Sequence, residues 1–131
     1  TIFRKDGLFA YQLAVVADDI FQDITTVIRG CDLLEPTARQ LSFYQLLNKP
    51  SPTFGHIPLA VTDKGYKLSK QNKAPAIDNA NPQPVLMMAL SFLGQNPPKE
   101  LSTATVDEII NWAICHWQLN NVPKIREIQL S

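Results

Sequence analysis

The chain has 131 residues, of which 45% are hydrophobic, and its 12 basic and 12 acidic side chains cancel. This length and composition allow one buried core, so one compact domain is the default and disorder is not expected. The neutral balance excludes a broad positive field for nucleic acid, so any RNA contact must be local.

Cysteine content and hydropathy narrow the cellular setting. Cys31 and Cys115 lie far apart without CxxC spacing, so neither a disulfide framework nor a metal site is indicated. No run approaches the ~18 apolar residues of a membrane span, and the first residues lack a signal-peptide core. These features predict a soluble cytoplasmic protein without a membrane partner.

The first sixty residues alternate apolar, β-prone runs with helical patterns. In chain order they predict a buried strand over 8–16 ending at Asp18-Asp19, a short helix over 19–24, a strand over 25–29 closed by Gly30, a helix over 35–47 with Pro36 in its first turn, and a strand over 57–61. Strands alternating with helices are typical of a parallel sheet with right-handed crossovers. The predicted class is therefore α/β.

A basic loop follows the third predicted strand. The turn over 62–65 contains Gly65, which can take the positive φ of a tight reversal, and Lys67, Ser69 and Lys70 come next. Two flexible ammonium groups on one loop can follow phosphate oxygens as charge develops, which favours a clamp for a nucleoside triphosphate. The alternative is a solvated basic hairpin.

The chain changes character after about residue 73, where a proline-rich connector begins. An apolar helix is predicted over 85–93 and stopped by Gly94. A second helix starts at a capping box of Thr105 and Glu108, and its apolar stripe over 106–117 indicates packing surface. We predict two regions, 1–73 with the sheet and the basic loop, and 74–131 as a small helical region.

Arg29 is the sharpest candidate for a ligand contact in the first region. At the carboxyl end of a parallel strand, its guanidinium can bind a carboxylate through a two-pronged (bidentate) pair of hydrogen bonds. Tyr11 on the preceding predicted strand can add a hydroxyl to the same site. The alternative is a structural salt bridge from Arg29 to Asp32 or Glu35.

Other catalytic constellations are sparse. Asp18-Asp19 at a strand end could hold a metal or an ammonium group, or could cap a helix. His56 and His116 have no nucleophile at a recognisable motif, and GxSxG, HExxH, GxGxxG and GxxxxGK do not occur. General-base hydrolysis is therefore not expected, and ATP would have to bind without a glycine-rich loop.

Several motifs together resemble a known family. Residues 67–71, Lys-Leu-Ser-Lys-Gln, look like the KMSKS signature, and residues 6–19, 27–30 and 56–59 follow in the order and at the intervals of the same proteins. On these motifs the chain resembles the second half of a class I glutamyl-type tRNA synthetase catalytic domain, with a Rossmann-like parallel sheet. The run over 67–75 and the early end after residues 121–123 resemble the short paralogues that attach glutamate to the queuosine of tRNA(Asp).

The resemblance implies a two-step reaction with named site residues. Glutamate attacks the α-phosphate of Mg-bound ATP to give glutamyl-adenylate, and the glutamyl group then passes to queuosine in tRNA(Asp). Tyr11 and Arg29 would bind glutamate, Lys70 would contact ATP, and Lys67 and Ser69 would belong to the same mobile catalytic loop. The backbone at Leu59 and Ala60 would lie against adenine.

The family's HIGH motif and zinc ligands are not in this sequence, and the resemblance places them upstream of residue 1. Zn is therefore expected only in an N-terminal half of the same protein, which becomes a required partner, and no metal ligand is assigned here. The chain alone is expected to be inactive and to self-associate or bind that half. The alternatives are a fragment of a conventional glutamyl- or glutaminyl-tRNA synthetase, and a non-catalytic α/β interaction module.

Overall fold

The computed structural model describes residues 2–63, 65–69 and 76–130. The chain divides into two units, one up to His56 and one from Ile57 onward. The boundary expected near residue 73 lies in the gap before residue 76, outside the described residues. Within the described ranges, no helix is long and apolar enough to cross a membrane.

The first unit is built from two helices and a two-stranded sheet. Its elements are helix α1 (Tyr11–Phe21), strand β1 (Thr26–Gly30), helix α2 (Leu34–Leu46) and strand β2 (Thr53–Ile57). β1 pairs with β2, and the two helices pack on each other. Val16 of α1 and Tyr44 of α2 are its buried hydrophobic residues.

The strand predicted over 8–16 is wrong, because most of that run is α1. Its half-buried and buried positions include Leu13, Val16 and Ile20, which repeat at helical spacing. Leucine and the alanines of this run favour a helix, and the two valines do not outweigh them. Asp18-Asp19 therefore lies near the C-terminus of a helix and not at the end of a strand.

Pro58 divides the single strand that was predicted over 57–61. A proline has no backbone N–H to donate to a ladder, so β2 ends at Ile57 and strand β3 (Leu59–Val61) begins after it. In the second unit β3 pairs in parallel with strand β4 (Glu127–Gln129), with Leu59 opposite Glu127. The sequence patterns did not predict β4.

The second unit also holds helices α3 (Gln83–Phe92) and α4 (Val106–His116), which pack on each other. The predictions for these helices are confirmed, as are those for β1 and α2. Gly94 follows α3 with a φ of 72°, and the capping box of Thr105 and Glu108 opens α4. The architecture is thus mixed α/β with parallel strands, shared between two units.

Candidate functional site

Arg29 on β1 is held by buried polar side chains of α2. Its Nη2 donates to Thr37 Oγ1 at 2.7 Å and to Gln40 Oε1 at 2.7 Å. Thr37 and Gln40 are 7% and 2% exposed, and both project from one face of α2 because they are three residues apart. These hydrogen bonds go to neutral groups, whereas the alternative from sequence was an ion pair with Asp32 or Glu35.

β2 supplies the remaining contacts to the guanidinium. Arg29 Nε donates to His56 Nε2 at 3.4 Å, and Arg29 Cζ lies 4.9 Å from the centroid of the Phe54 ring. Burial and the Arg29 charge lower the pKa of His56, against a smaller opposing effect of the Leu33 carbonyl. The imidazole is therefore neutral at pH 7 and accepts a hydrogen bond from the cation.

A second link runs from this cluster to α1. Gln40 Nε2 donates to Gln12 Oε1 at 2.6 Å, so one buried amide joins Arg29 to the helix that begins at Tyr11. Tyr11 is the first residue of that helix and is 66% exposed. The structure corrects its predicted place on a strand, while its neighbour Gln12 belongs to the same hydrogen-bond network as Arg29.

The other acidic candidates do not gather into a site. Asp19 accepts a hydrogen bond from the Tyr44 hydroxyl at 3.2 Å, which ties α1 to α2. Burial is the main cause that raises the pKa of Tyr44 to about 12, and the charge of the nearby Asp19 carboxylate is the second. Across the described residues, no three His, Cys, Asp or Glu side chains come together to hold a metal ion.

The basic loop in the second unit begins as an antiparallel return along β3. Gly65 has a φ of 75°, Thr62 N donates to Tyr66 O at 2.8 Å, and Lys67 pairs with Val61 in an antiparallel bridge. The predicted glycine-hinged turn is thus confirmed, and it carries Lys67 and Ser69 beside β3. Lys70 lies outside the described residues.

The backbone at Leu59 and Ala60 is partly engaged within the same unit. Leu59 N donates to Arg126 O at 2.9 Å, and Ala60 O accepts from Leu68 N at 2.9 Å. β3 is therefore bordered on one side by β4 and on the other by the returning loop. The structure places Tyr11 and Arg29 in the first unit, and Leu59, Ala60, Lys67 and Ser69 in the second.

Comparison with known proteins identifies the family. The model for the catalytic domain of class I tRNA synthetases of the E and Q type matches residues 1–130. The chain belongs to this family. Its members are ligases, so the buried Arg29 cluster and the basic loop are parts of a class I synthetase catalytic domain.

Two curated relatives share most of the sequence of this synthetase chain. Both are named glutamyl-Q tRNA(Asp) synthetase; that of Colwellia psychrerythraea is 66% identical over 134 residues, and that of Photobacterium profundum 53% over 130. The matches cover 98% and 99% of this chain but 42% of each relative. The chain thus spans less than half the length of the relatives it matches.

A solved structure agrees with the family assignment. A glutamate tRNA ligase from Elizabethkingia meningosepticum, crystallised with its amino acid, matches with a TM-score of 0.67 and 26% identity. The match covers 99% of this chain and 29% of that one. The fold of the synthetase chain accordingly resembles that of a segment of this glutamate tRNA ligase.

The sequence analysis missed Thr37, Gln40 and His56 as partners of Arg29. A signal was present in α2, where Thr37, Gln40 and Tyr44 repeat at helical spacing and are its three buried residues. Polar side chains on the inward face of a helix require partners, because burying a polar group without one is costly. Such a stripe indicates a buried polar network.

Proposed function

We propose that the chain forms the second half of the catalytic domain of an enzyme that activates glutamate with ATP and transfers it to the queuosine of tRNA(Asp). The observation that carries the proposal is the neutral setting of Arg29. Its hydrogen-bond partners are a hydroxyl, an amide and a neutral imidazole, so its positive charge remains available to an anion. Close relatives named glutamyl-Q tRNA(Asp) synthetase support the choice of substrate.

Arg29 and Tyr11 are the proposed glutamate contacts. A guanidinium is permanently charged and matches the planar geometry of a carboxylate, so Arg29 supplies affinity for an acidic amino acid. Tyr11, exposed at the start of α1, can donate or accept a hydrogen bond through its hydroxyl. Glutamate is thus bound by one charge contact and one orienting contact from this chain.

The basic loop is the proposed ATP contact. Lys67 and Ser69 leave the β3 hairpin beside Leu59 and Ala60, whose backbone is proposed to lie against adenine. Lys70 follows in sequence and is proposed to contact the phosphates, which bring Mg²⁺ with them. Lysines suit this task because they neutralise charge as it develops on the leaving pyrophosphate.

The reaction then needs positioning more than proton transfer. A carboxylate oxygen of glutamate forms a bond to the α-phosphorus of ATP, and the bond to pyrophosphate breaks. An acceptor hydroxyl then attacks the adenylate carbonyl, loses its proton and releases AMP. Arg29 holds glutamate while the loop lysines stabilise the departing pyrophosphate, so this chain requires no strong base of its own.

The rest of the protein is the proposed partner of this chain. The matched relatives are more than twice as long, and the remaining catalytic motifs and any zinc site are proposed to lie in their other part. The Rossmann-like sheet is likewise proposed to be completed there, and a cytoplasmic location stays a prediction. Isolated, the chain is expected to be inactive.

The test uses the full-length protein in glutamate-dependent exchange of labelled pyrophosphate into ATP, followed by transfer of labelled glutamate. The expected acceptor is tRNA(Asp) with queuosine, with the same tRNA lacking queuosine as the control. Transfer to tRNA(Glu) or tRNA(Gln) instead would establish the conventional synthetase as the function. Absence of exchange with any amino acid would favour the interaction module.

A further inference from the structure

The hydrogen bonds of Arg29 use two of the three nitrogens of its guanidinium. Nε donates to His56, and the two hydrogens of Nη2 are taken by Thr37 and Gln40. Among the described residues none accepts a hydrogen bond from Nη1. Since an arginine has five N–H donors, two hydrogens on one nitrogen remain for a ligand.

The orientation of Gln40 is fixed from both sides of its amide. Its Nε2 donates to Gln12 Oε1 at 2.6 Å, so its Oε1 must face Arg29. The side chain is 2% exposed, which makes any other arrangement leave a buried polar atom unpaired. Gln40 therefore holds Arg29 at a set distance from the first turn of α1, which carries Tyr11.

The hydroxyl of Thr37 is oriented in a similar way. Thr37 Oγ1 donates its one hydrogen to Leu33 O at 2.7 Å, so it presents lone pairs to Arg29 Nη2. His56 Nε2 lies 3.0 Å from the same Oγ1, so the imidazole also forms a hydrogen-bond pair with this hydroxyl. Thr37 Oγ1 is therefore held in a fixed orientation as an acceptor for Arg29 Nη2.

We propose that Gln40 and Thr37 are positioning residues of the glutamate site, which turn the Nη1 end of Arg29 toward the substrate carboxylate. The inference rests on the function proposed above. The inference explains why the side chains around Arg29 are neutral. A buried carboxylate at position 37 or 40 would pair with Arg29 and cancel the charge that glutamate requires. The inference also differs from the two-pronged grip expected from sequence, since Nη2 is already occupied.

The decisive variants change charge or hydrogen bonding at constant shape. In the full-length enzyme, Gln40→Glu places a carboxylate against the guanidinium, and the KM for glutamate should rise at least about tenfold, with the KM for ATP within about twofold of wild type. Gln45→Glu is the matched control, because Gln45 is an exposed residue of the same helix and receives the same change of charge. It should leave the KM for glutamate unchanged.

A second pair keeps the inference testable if Gln40→Glu fails to fold. Thr37→Val removes the hydroxyl at nearly constant volume and should raise the KM for glutamate, whereas Thr37→Ser restores the acceptor and should return it close to wild type. A purely structural role would lower the melting temperature without this selective effect on glutamate. An unchanged KM for glutamate in both Gln40→Glu and Thr37→Val would overturn this inference and leave the proposed function intact. A wild-type protein without glutamate-dependent exchange would overturn both.

Discussion

His56 can accept a hydrogen bond from Arg29 only while its imidazole is neutral. Burial and the Arg29 charge lower its pKa in the folded chain below 6.5, so the unfolded chain binds this proton first as pH falls. The free energy of unfolding should therefore fall as pH drops from ~7.5 through ~6.5, and level off below the folded pKa. Urea unfolding at several pH values measures this slope.

The matched variant for this prediction is His56→Gln, which keeps an acceptor but cannot titrate. Its free energy of unfolding should depend less on pH in that window than that of the wild type. An identical pH dependence in both chains would show that His56 is not the titrating group. His116, which is exposed on α4, is present in both chains, so a difference between their pH dependences is due to His56.

Tyr44 provides a second titration at the opposite end of the pH scale. Burial, the charge of Asp19 and the hydrogen bond from Tyr44 to Asp19 raise the pKa of Tyr44 to about 12. The folded chain therefore keeps the phenol proton at pH values where the unfolded chain, with a pKa of 10.0, has lost it. Stability contributed by this phenol should be lost as pH rises from ~10 to ~12. The difference in phenolate absorbance between wild type and Tyr44→Phe should be centred near pH ~12, and a centre near ~10 would contradict the burial of the hydroxyl.

At the scale of elements, periodicity and capping chemistry predicted the helices better than apolar content did. Gly94 and the Thr105–Glu108 box located the end of α3 and the start of α4, because both depend on local backbone requirements. α1 was mistaken for a strand because its solvent-facing positions include alanine, which conceals the helical period. β4 is three residues long and exists through pairing with β3, which local sequence does not encode.

The candidate site was predictable only in part. Arg29 and Tyr11 were chosen from their sequence context and stay predictions as glutamate contacts, whereas the glycine turn before Lys67 is confirmed. The partners of Arg29 come from α2 and β2, and Gln40 links them to α1; these contacts join residues up to 28 positions apart. Such tertiary contacts follow from packing and not from local pattern.

Gly94 should tolerate substitution less well than Gly65. Both have positive φ, but a Cβ on Gly94 would collide with the backbone carbonyl of Asn121, whereas a Cβ on Gly65 would meet nothing within 4 Å. Gly65→Ala should therefore cost only the backbone strain of about 1 kcal/mol, and Gly94→Ala more than about 2 kcal/mol. Thermal unfolding of the two variants tests this order, and equal losses would contradict the close approach at Gly94.

At the scale of the whole molecule, apolar surface is abundant. The buried hydrophobic residues are Val16, Tyr44, Val61 and Ile109, while 21 large hydrophobic side chains are exposed among the described residues. In the first unit Phe21 is 88% exposed and Ile28, in the middle of β1, is 63% exposed. Surfaces of this kind are typical of interfaces, which fits a chain that spans 42% of its relatives.

The chain of 131 residues should therefore associate when prepared alone. We expect light scattering to show oligomers and a hydrophobic dye to bind. The reason is that the exposed apolar side chains lack the contacts that the rest of the protein is proposed to provide. Adding the remaining part of the protein in trans should replace the oligomers with a one-to-one complex. A monodisperse monomer that exchanges pyrophosphate without that part would contradict this expectation.

The glutamate site itself is tested most directly by glutamate-dependent pyrophosphate exchange in the full-length enzyme with Arg29→Gln. Losing the charged partner of a substrate carboxylate costs roughly 3 kcal/mol, so kcat/KM for glutamate should fall about a hundredfold while the KM for ATP changes little. Arg39→Gln, an exposed position on α2, is the control and should match wild type. A kcat/KM for glutamate in Arg29→Gln equal to that of Arg39→Gln would contradict the assignment of Arg29 as the carboxylate-binding residue.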